Sequence, residues 1–105
     1  MTRETPILHE VRAVIAPVGP CWRNSTGVDV TRGVRYGLGV GGADLVACIR
    51  GRFCGFEVKT PDGRLTKEQQ LWAHVVRAAG GFYAVVRSAE DAIAARRRAE
   101  EGADR

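Results

Sequence analysis

The chain has 105 residues, 45% of them hydrophobic and 27% charged, with a formal net charge of +4. That length supports one hydrophobic core and not two, and the composition is that of an ordinary globular domain, which sets aside disordered, collagen-like and membrane-spanning classes. No apolar run approaches the ~20 residues of a membrane span and no charged, apolar, small-residue leader opens the chain, so a cytoplasmic protein with no membrane partner is expected. The isoelectric point near 9.4 suits a polyanionic partner, although Arg96-Arg97-Arg98 near the end supplies part of that balance. Cys21, Cys48 and Cys54 are odd in number and lack CxxC spacing, and are expected to be buried, reduced thiols.

In chain order, Thr5-Pro6 predicts a helix start with Thr5 as N-cap, and Ile7, Val11, Val14 and Ile15 form its apolar stripe until Pro17, Gly19 and Pro20 end it. Cys21-Trp22 and Val28-Asp29-Val30 are candidates for short strands, with turns at 24–27 and 32–33. Two apolar runs, Leu45 to Ile49 and Phe53 to Val58, then flank Arg50-Gly51 and predict a β-hairpin. After a turn at Pro61-Asp62-Gly63, Thr66-Lys67-Glu68-Gln69 is a capping box opening a helix that carries Leu71, Trp72, Val75, Val76 and Ala79 and stops at Gly80-Gly81. Phe82 to Val86 has the length of a strand, and Ser88 caps a last helix. The expected order α-β-β-β-α-β-α implies an α/β fold with a mixed sheet flanked by helices. The domain is expected to run over 1–98, with 99–105 a frayed tail.

The hairpin holds the chemistry. A turn centred on Arg50-Gly51 pairs residues whose numbers sum to 101, which sets Asp44 opposite Glu57 on one face, and Lys59 two residues on shares that face. Opposed carboxylates repel, so a cation between them is the simplest reason for the arrangement, and hard oxygen donors suit Mg²⁺ or Mn²⁺. A lone Glu-x-Lys is common and would carry little; the opposed Asp44 gives it weight. Gly37-Leu38-Gly39-Val40-Gly41-Gly42 satisfies GxGxxG, but a strand follows where a dinucleotide site needs a helix, so the glycines are expected to let the backbone pass close to the metal site or to a phosphate.

Asp44 followed by Glu57-Val58-Lys59 resembles the PD-(D/E)xK nuclease signature, with Ala43-Asp44 in place of the usual proline-aspartate pair. Arg23-Asn24-Ser25-Thr26-Gly27, Tyr36-Gly37-Leu38-Gly39, Gly42-Ala43-Asp44, Glu57 to Leu65, Glu68-Gln69 and Gly80-Gly81 together resemble the virus-type replication-repair nuclease (VRR-NUC) family, from about Ile7 to Ala92. The resemblance implies a restriction-endonuclease-like fold and an Mg²⁺-dependent DNA endonuclease, with Mn²⁺ able to substitute. It implies a branched DNA substrate, in phage or prophage replication or repair, and a homodimer. Asp44, Glu57 and the Val58 carbonyl would bind the metal. Lys59 would hold or deprotonate the attacking water or neutralise the phosphate, and Gln69 matches the glutamine on the following helix. Gln69 also has a sufficient role as the last member of the capping box. A ligand from the first helix is a further expectation, for which Glu4, on the side of Ile7 and Val11, is a better candidate than Glu10.

Arg23, Asn24, Arg32, Arg35, Arg64 and Lys67 are candidate DNA-backbone contacts, each with solvated loop charge as its simpler explanation. His9 and His74 have no metal-ligand spacing. Trp22, Trp72 and Phe82 are expected in the core, Trp22 alternatively in a dimer interface. The alternative function is a non-catalytic DNA-binding protein that keeps the nuclease fold.

Overall fold

The structure, a computed structural model, describes residues 4–103, with side chains from residue 6 onward. Helix α1 (Glu4–Ile15) buries Leu8, Val11 and Ile15 and half-buries Ile7 and Val14, the stripe that a 3.6-residue period dictates. It opens at Glu4, so Thr5 lies inside the first turn instead of capping it; Pro6 is tolerated there because first-turn amides have no intrahelical acceptor. A 3₁₀ turn over Ala16–Val18 leads into strand β1 (Cys21–Arg23).

Strands β2 (Gly27–Asp29) and β3 (Val34–Tyr36) pair only with each other, as a two-stranded ribbon. β3 was not expected from the sequence, and Val30 falls outside β2, because the Asp29 carboxylate takes the Thr31 and Arg32 amides and turns the chain there. β4 (Leu45–Ile49) and β5 (Arg52–Val58) form the expected hairpin, with the positive φ of both Arg50 (52°) and Gly51 (76°) that a tight turn matched to strand twist requires. Their register, Leu45 opposite Phe56 through Ile49 opposite Arg52, sums to 101. Helix α2 (Lys67–Ala78) crosses over to β6 (Phe82–Val86), which lies parallel to β5, and α3 (Ala89–Glu100) follows. The fold is mixed α/β: a four-stranded sheet in the order β1-β4-β5-β6 with three helices.

Alternation along β5 divides the sheet into two faces. Cys54, Phe56 and Val58 point into the main core with Leu45, Ile49, Phe82 and Val86, under α1 and α3. Gly55 and Glu57 point to the α2 face, where Ala43, Ala73 and Tyr83 form a second, smaller cluster edged by Trp72, Leu65 and Val85. Gly55 is required there, because a Cβ would come within 2.9 Å of the Trp72 ring.

Residues 99–103 of the expected tail are packed, and 104–105 lie outside the described residues. α3 runs to Glu100, Ala99 is buried, and Gly102 and Ala103 donate back to Ala99 and Arg98. The buried guanidinium of Arg52 needs acceptors and finds them in the carbonyls of Gly80, Gly81 and Ala103, which ties residues 99–103 to the sheet. Two other expectations also change: Trp22 is 56% exposed and Cys48 is exposed, both on the α2 face of the sheet, where α2 packs chiefly against β6 at the other edge. All three cysteines are free, and burial raises the thiol pKa of Cys21 and Cys54. Among the described residues no helix is long and apolar enough to cross a membrane.

Candidate active site

Asp44 and Glu57 meet at the open end of the β4–β5 hairpin. The Asp44 amide donates to Glu57 Oε1 at 3.2 Å, and the Val58 amide donates to Asp44 Oδ2 at 2.9 Å. Each carboxyl is therefore braced by the backbone of the opposite strand, which is what continuing the register by one pair beyond Leu45–Phe56 produces. Glu57 is 1% exposed, and Asp44 is half-buried at the rim. Among the described residues neither carboxyl forms an ion pair. Burial, together with the hydrogen bond and negative charge of Asp44, pushes the Glu57 pKa from its ordinary 4.5 up to about 8, while Lys59 pulls the other way.

Lys59 is half-buried, and its amide donates to Val86, extending the ladder between β5 and β6. The turn that follows is held by Arg87, whose Nη1 donates to the carbonyls of Thr60 and Gly63 at 2.6 Å each. This brace lies more than twenty residues away in sequence and had no local signal. Arg64 and Lys67 are exposed on either side of the Thr66 cap, on the segment that continues from Lys59.

Gln69 takes the role its capping box dictates: its side chain accepts from the Thr66 amide at 2.9 Å, and its own amide donates to the Thr66 hydroxyl. The glycine loop runs against this helix end. A Cβ on Gly41, whose φ is 82°, would fall 2.4 Å from the Glu68 carbonyl, so only glycine lets the loop touch α2 three residues before Asp44. Gly41 thus serves a backbone-to-helix contact.

Asn24 has a structural role in the same loop. Its side-chain amide donates to Ala43 O at 2.9 Å, its oxygen accepts from Leu38 at 3.1 Å, and its backbone amide donates to Asp44 O. Both ends of the side chain fasten the loop beside β1, so Asn24 helps to position Asp44. Arg23 is exposed but pairs with Leu45, which puts it on the face opposite Glu57. Arg35 lies on the separate ribbon, where it and Arg32 are exposed, the latter 3.7 Å from Asp29. The Glu4 side chain lies outside the described residues; α1 itself packs on the face away from Glu57, where Glu10 is exposed.

Among the described residues no group of three His, Cys, Asp or Glu side chains gathers. Two carboxyls with nearby backbone carbonyls still fit a hard divalent cation, because Mg²⁺ is commonly held by one or two carboxylates, with waters and phosphate oxygens completing its shell. A second observation fits the same group. The Tyr83 hydroxyl on this face is buried without a hydrogen-bond partner among the described residues, and the charge of Glu57 reaches it. No protein-family model matches the chain, and no curated protein matches it.

Proposed function

We propose that this protein is a divalent-cation-dependent DNA endonuclease of restriction-endonuclease-like fold, acting in the cytoplasm on branched DNA such as junctions or flaps. The observation that carries the reading is the Asp44–Glu57 pair: two carboxyls braced face to face, one of them buried, with no ion pair among the described residues. Such a pair is costly to ionise unless a cation joins it. Asp44, Glu57 and the Val58 carbonyl would hold Mg²⁺, with Mn²⁺ as a substitute. When bound, the cation offsets the negative charge that develops as a phosphodiester is attacked.

The remaining steps fall to the chain's own groups. Lys59, two residues beyond Glu57, orients or deprotonates the attacking water or neutralises the scissile phosphate. The first-turn amides of α2 that the Thr66 cap leaves over would take a flanking phosphate, and Arg64 and Lys67 add charge beside it. Gln69 serves this step by fixing the helix start. The homodimer belongs to the same reading: Trp22, Val28, Val34 and Tyr36 are each about half exposed on β1 and on the β2–β3 ribbon, and an isolated two-stranded ribbon is marginal in water without cover.

Labelled duplex, flap and four-way-junction DNA incubated with the protein in Mg²⁺, Mn²⁺ or EDTA tests the proposal. Products should form only with a cation and fastest on a branched substrate, and light scattering should give the mass of a dimer. Binding without products in every condition would favour a non-catalytic DNA-binding protein instead.

A further inference from the structure

Lys59 follows the last residue of β5, and the turn after it folds back onto its side chain. A Cβ on Gly63 would lie 3.4 Å from both Cβ and Cδ of Lys59 and 3.2 Å from the Thr60 hydroxyl, so the Gly63 backbone forms one wall of the lysine stem. Within the turn itself the Gly63 amide donates to the Thr60 carbonyl at 3.0 Å. A single neutral bond of that kind is a weak hold on a solvated turn.

The stronger hold comes from Arg87. Its Nη1 donates to the Thr60 and Gly63 carbonyls at 2.6 Å each, with the Pro61 carbonyl a longer third at 3.3 Å. Carbonyl oxygens drawn to one point repel each other, and a charged donor is what gathers them. The backbone of Arg87 is fixed as well: its amide donates to Asp91 Oδ2 at 2.9 Å in the first turn of α3, and the carbonyl of Val86 before it takes the Lys59 amide. Continuing the β5–β6 register one pair beyond Val58–Val86 sets Arg87 beside Lys59. We propose that Arg87 is a positioning residue for Lys59, holding the 60–63 turn closed so that the lysine stem keeps its wall and the ammonium a narrow range of positions on the face of Glu57. This inference rests on the reading of Lys59 as the group that acts on the attacking water or the phosphate. Misplacing such a group by about 1 Å can cost about a hundredfold in rate.

The test is a double-mutant cycle on DNA cleavage in Mg²⁺, using Arg87→Ala, Lys59→Ala and the two combined, with junction-DNA Kd in EDTA and melting temperature measured for each. Arg87→Ala should cleave about 10- to 100-fold more slowly than wild type while its Kd changes less than about threefold. Arg87→Lys, which keeps a cationic donor for the turn, should lose less, and it replaces Arg87→Ala in the cycle if the alanine variant does not melt cooperatively. In the Lys59→Ala background the Arg87 substitution should cost less than about threefold further, because no lysine is left to aim. In metal-free protein carrying ¹³C-labelled lysine, the Lys59 Cε signals should move toward those of exposed lysines when Arg87 is replaced. Equal rate losses in both backgrounds, or unmoved Lys59 signals, would overturn the positioning role while leaving the nuclease reading standing. A loss of affinity as large as the loss of rate would overturn it too, and make Arg87 a phosphate contact. A wild type that yields no product with Mg²⁺ or Mn²⁺ would remove the nuclease reading and this role together.

Discussion

Neighbouring residues of β5 belong to two different environments. Phe56 and Val58 face α1 and α3 in the main apolar core, whereas Glu57 between them faces α2, beside Asp44 and on the face of Tyr83, whose hydroxyl has no hydrogen-bond partner among the described residues. The first face is an apolar core in which Phe56, Val58, Phe82 and Val86 are fully buried. The second holds a buried carboxyl whose proton is retained to about pH 8. Alternate residues of one strand thus face an apolar core and a polar site, and on the proposed reading stability falls to the first and chemistry to the second.

The sharpest break in that comparison is between adjacent residues. Phe56→Ala should cost about 3–5 kcal/mol in denaturant unfolding, the usual effect of emptying a filled core position. Glu57→Gln, one residue on, should leave the fold intact and raise the melting temperature in EDTA at neutral pH, because folding then no longer has to protonate a buried carboxyl whose pKa is pushed up to about 8. The same variant should lose DNA cleavage by at least about a hundredfold, a loss typical of removing one electrostatic group from an active site. Comparable destabilisation by both substitutions would show that Glu57 is ordinary structure.

Lys59→Ala sharpens the α2 face itself. If the lysine acts in the transition state, the cleavage rate should fall about 10²- to 10³-fold while the Kd for a junction changes less than about threefold. Equal losses in binding and cutting would make Lys59 a phosphate anchor.

A smaller effect lies in pH. Glu57 binds its proton more tightly when folded, so it contributes stability that is complete below its unfolded value near 4.5 and is lost as pH rises to about 8. In EDTA the slope should reach at most ~1.4 kcal/mol per pH unit within that window. Glu57→Gln should flatten it, as should saturating Mg²⁺, which favours the ionised carboxylate. A wild-type slope identical to that of Glu57→Gln would remove the buried-acid assignment.

The hairpin and its acids were legible in the sequence because their determinants are local: Arg50-Gly51 dictates the turn, the turn dictates the register, and the register brings Asp44 to Glu57. The cap at Thr66–Gln69 was legible for the same reason. What was not legible depends on groups distant in sequence. Nothing around Asn24 announces that its amide fastens Ala43 and Leu38, and nothing near residue 52 announces that Arg52 will hold the 99–103 end in place. Tyr83 was hidden inside a continuous apolar run, where a strand buried on both faces shows no alternation to separate the two environments. Its hydroxyl was the only local sign.

The central claim is that Asp44 and Glu57 together hold a divalent cation, and calorimetric titration of Mn²⁺ into the folded chain tests it most directly. Wild-type protein should bind with a saturable isotherm, and Asp44→Asn and Glu57→Gln should each weaken that binding at least about tenfold while melting cooperatively. Binding of unchanged affinity in both variants, or none in the wild type, would contradict the account.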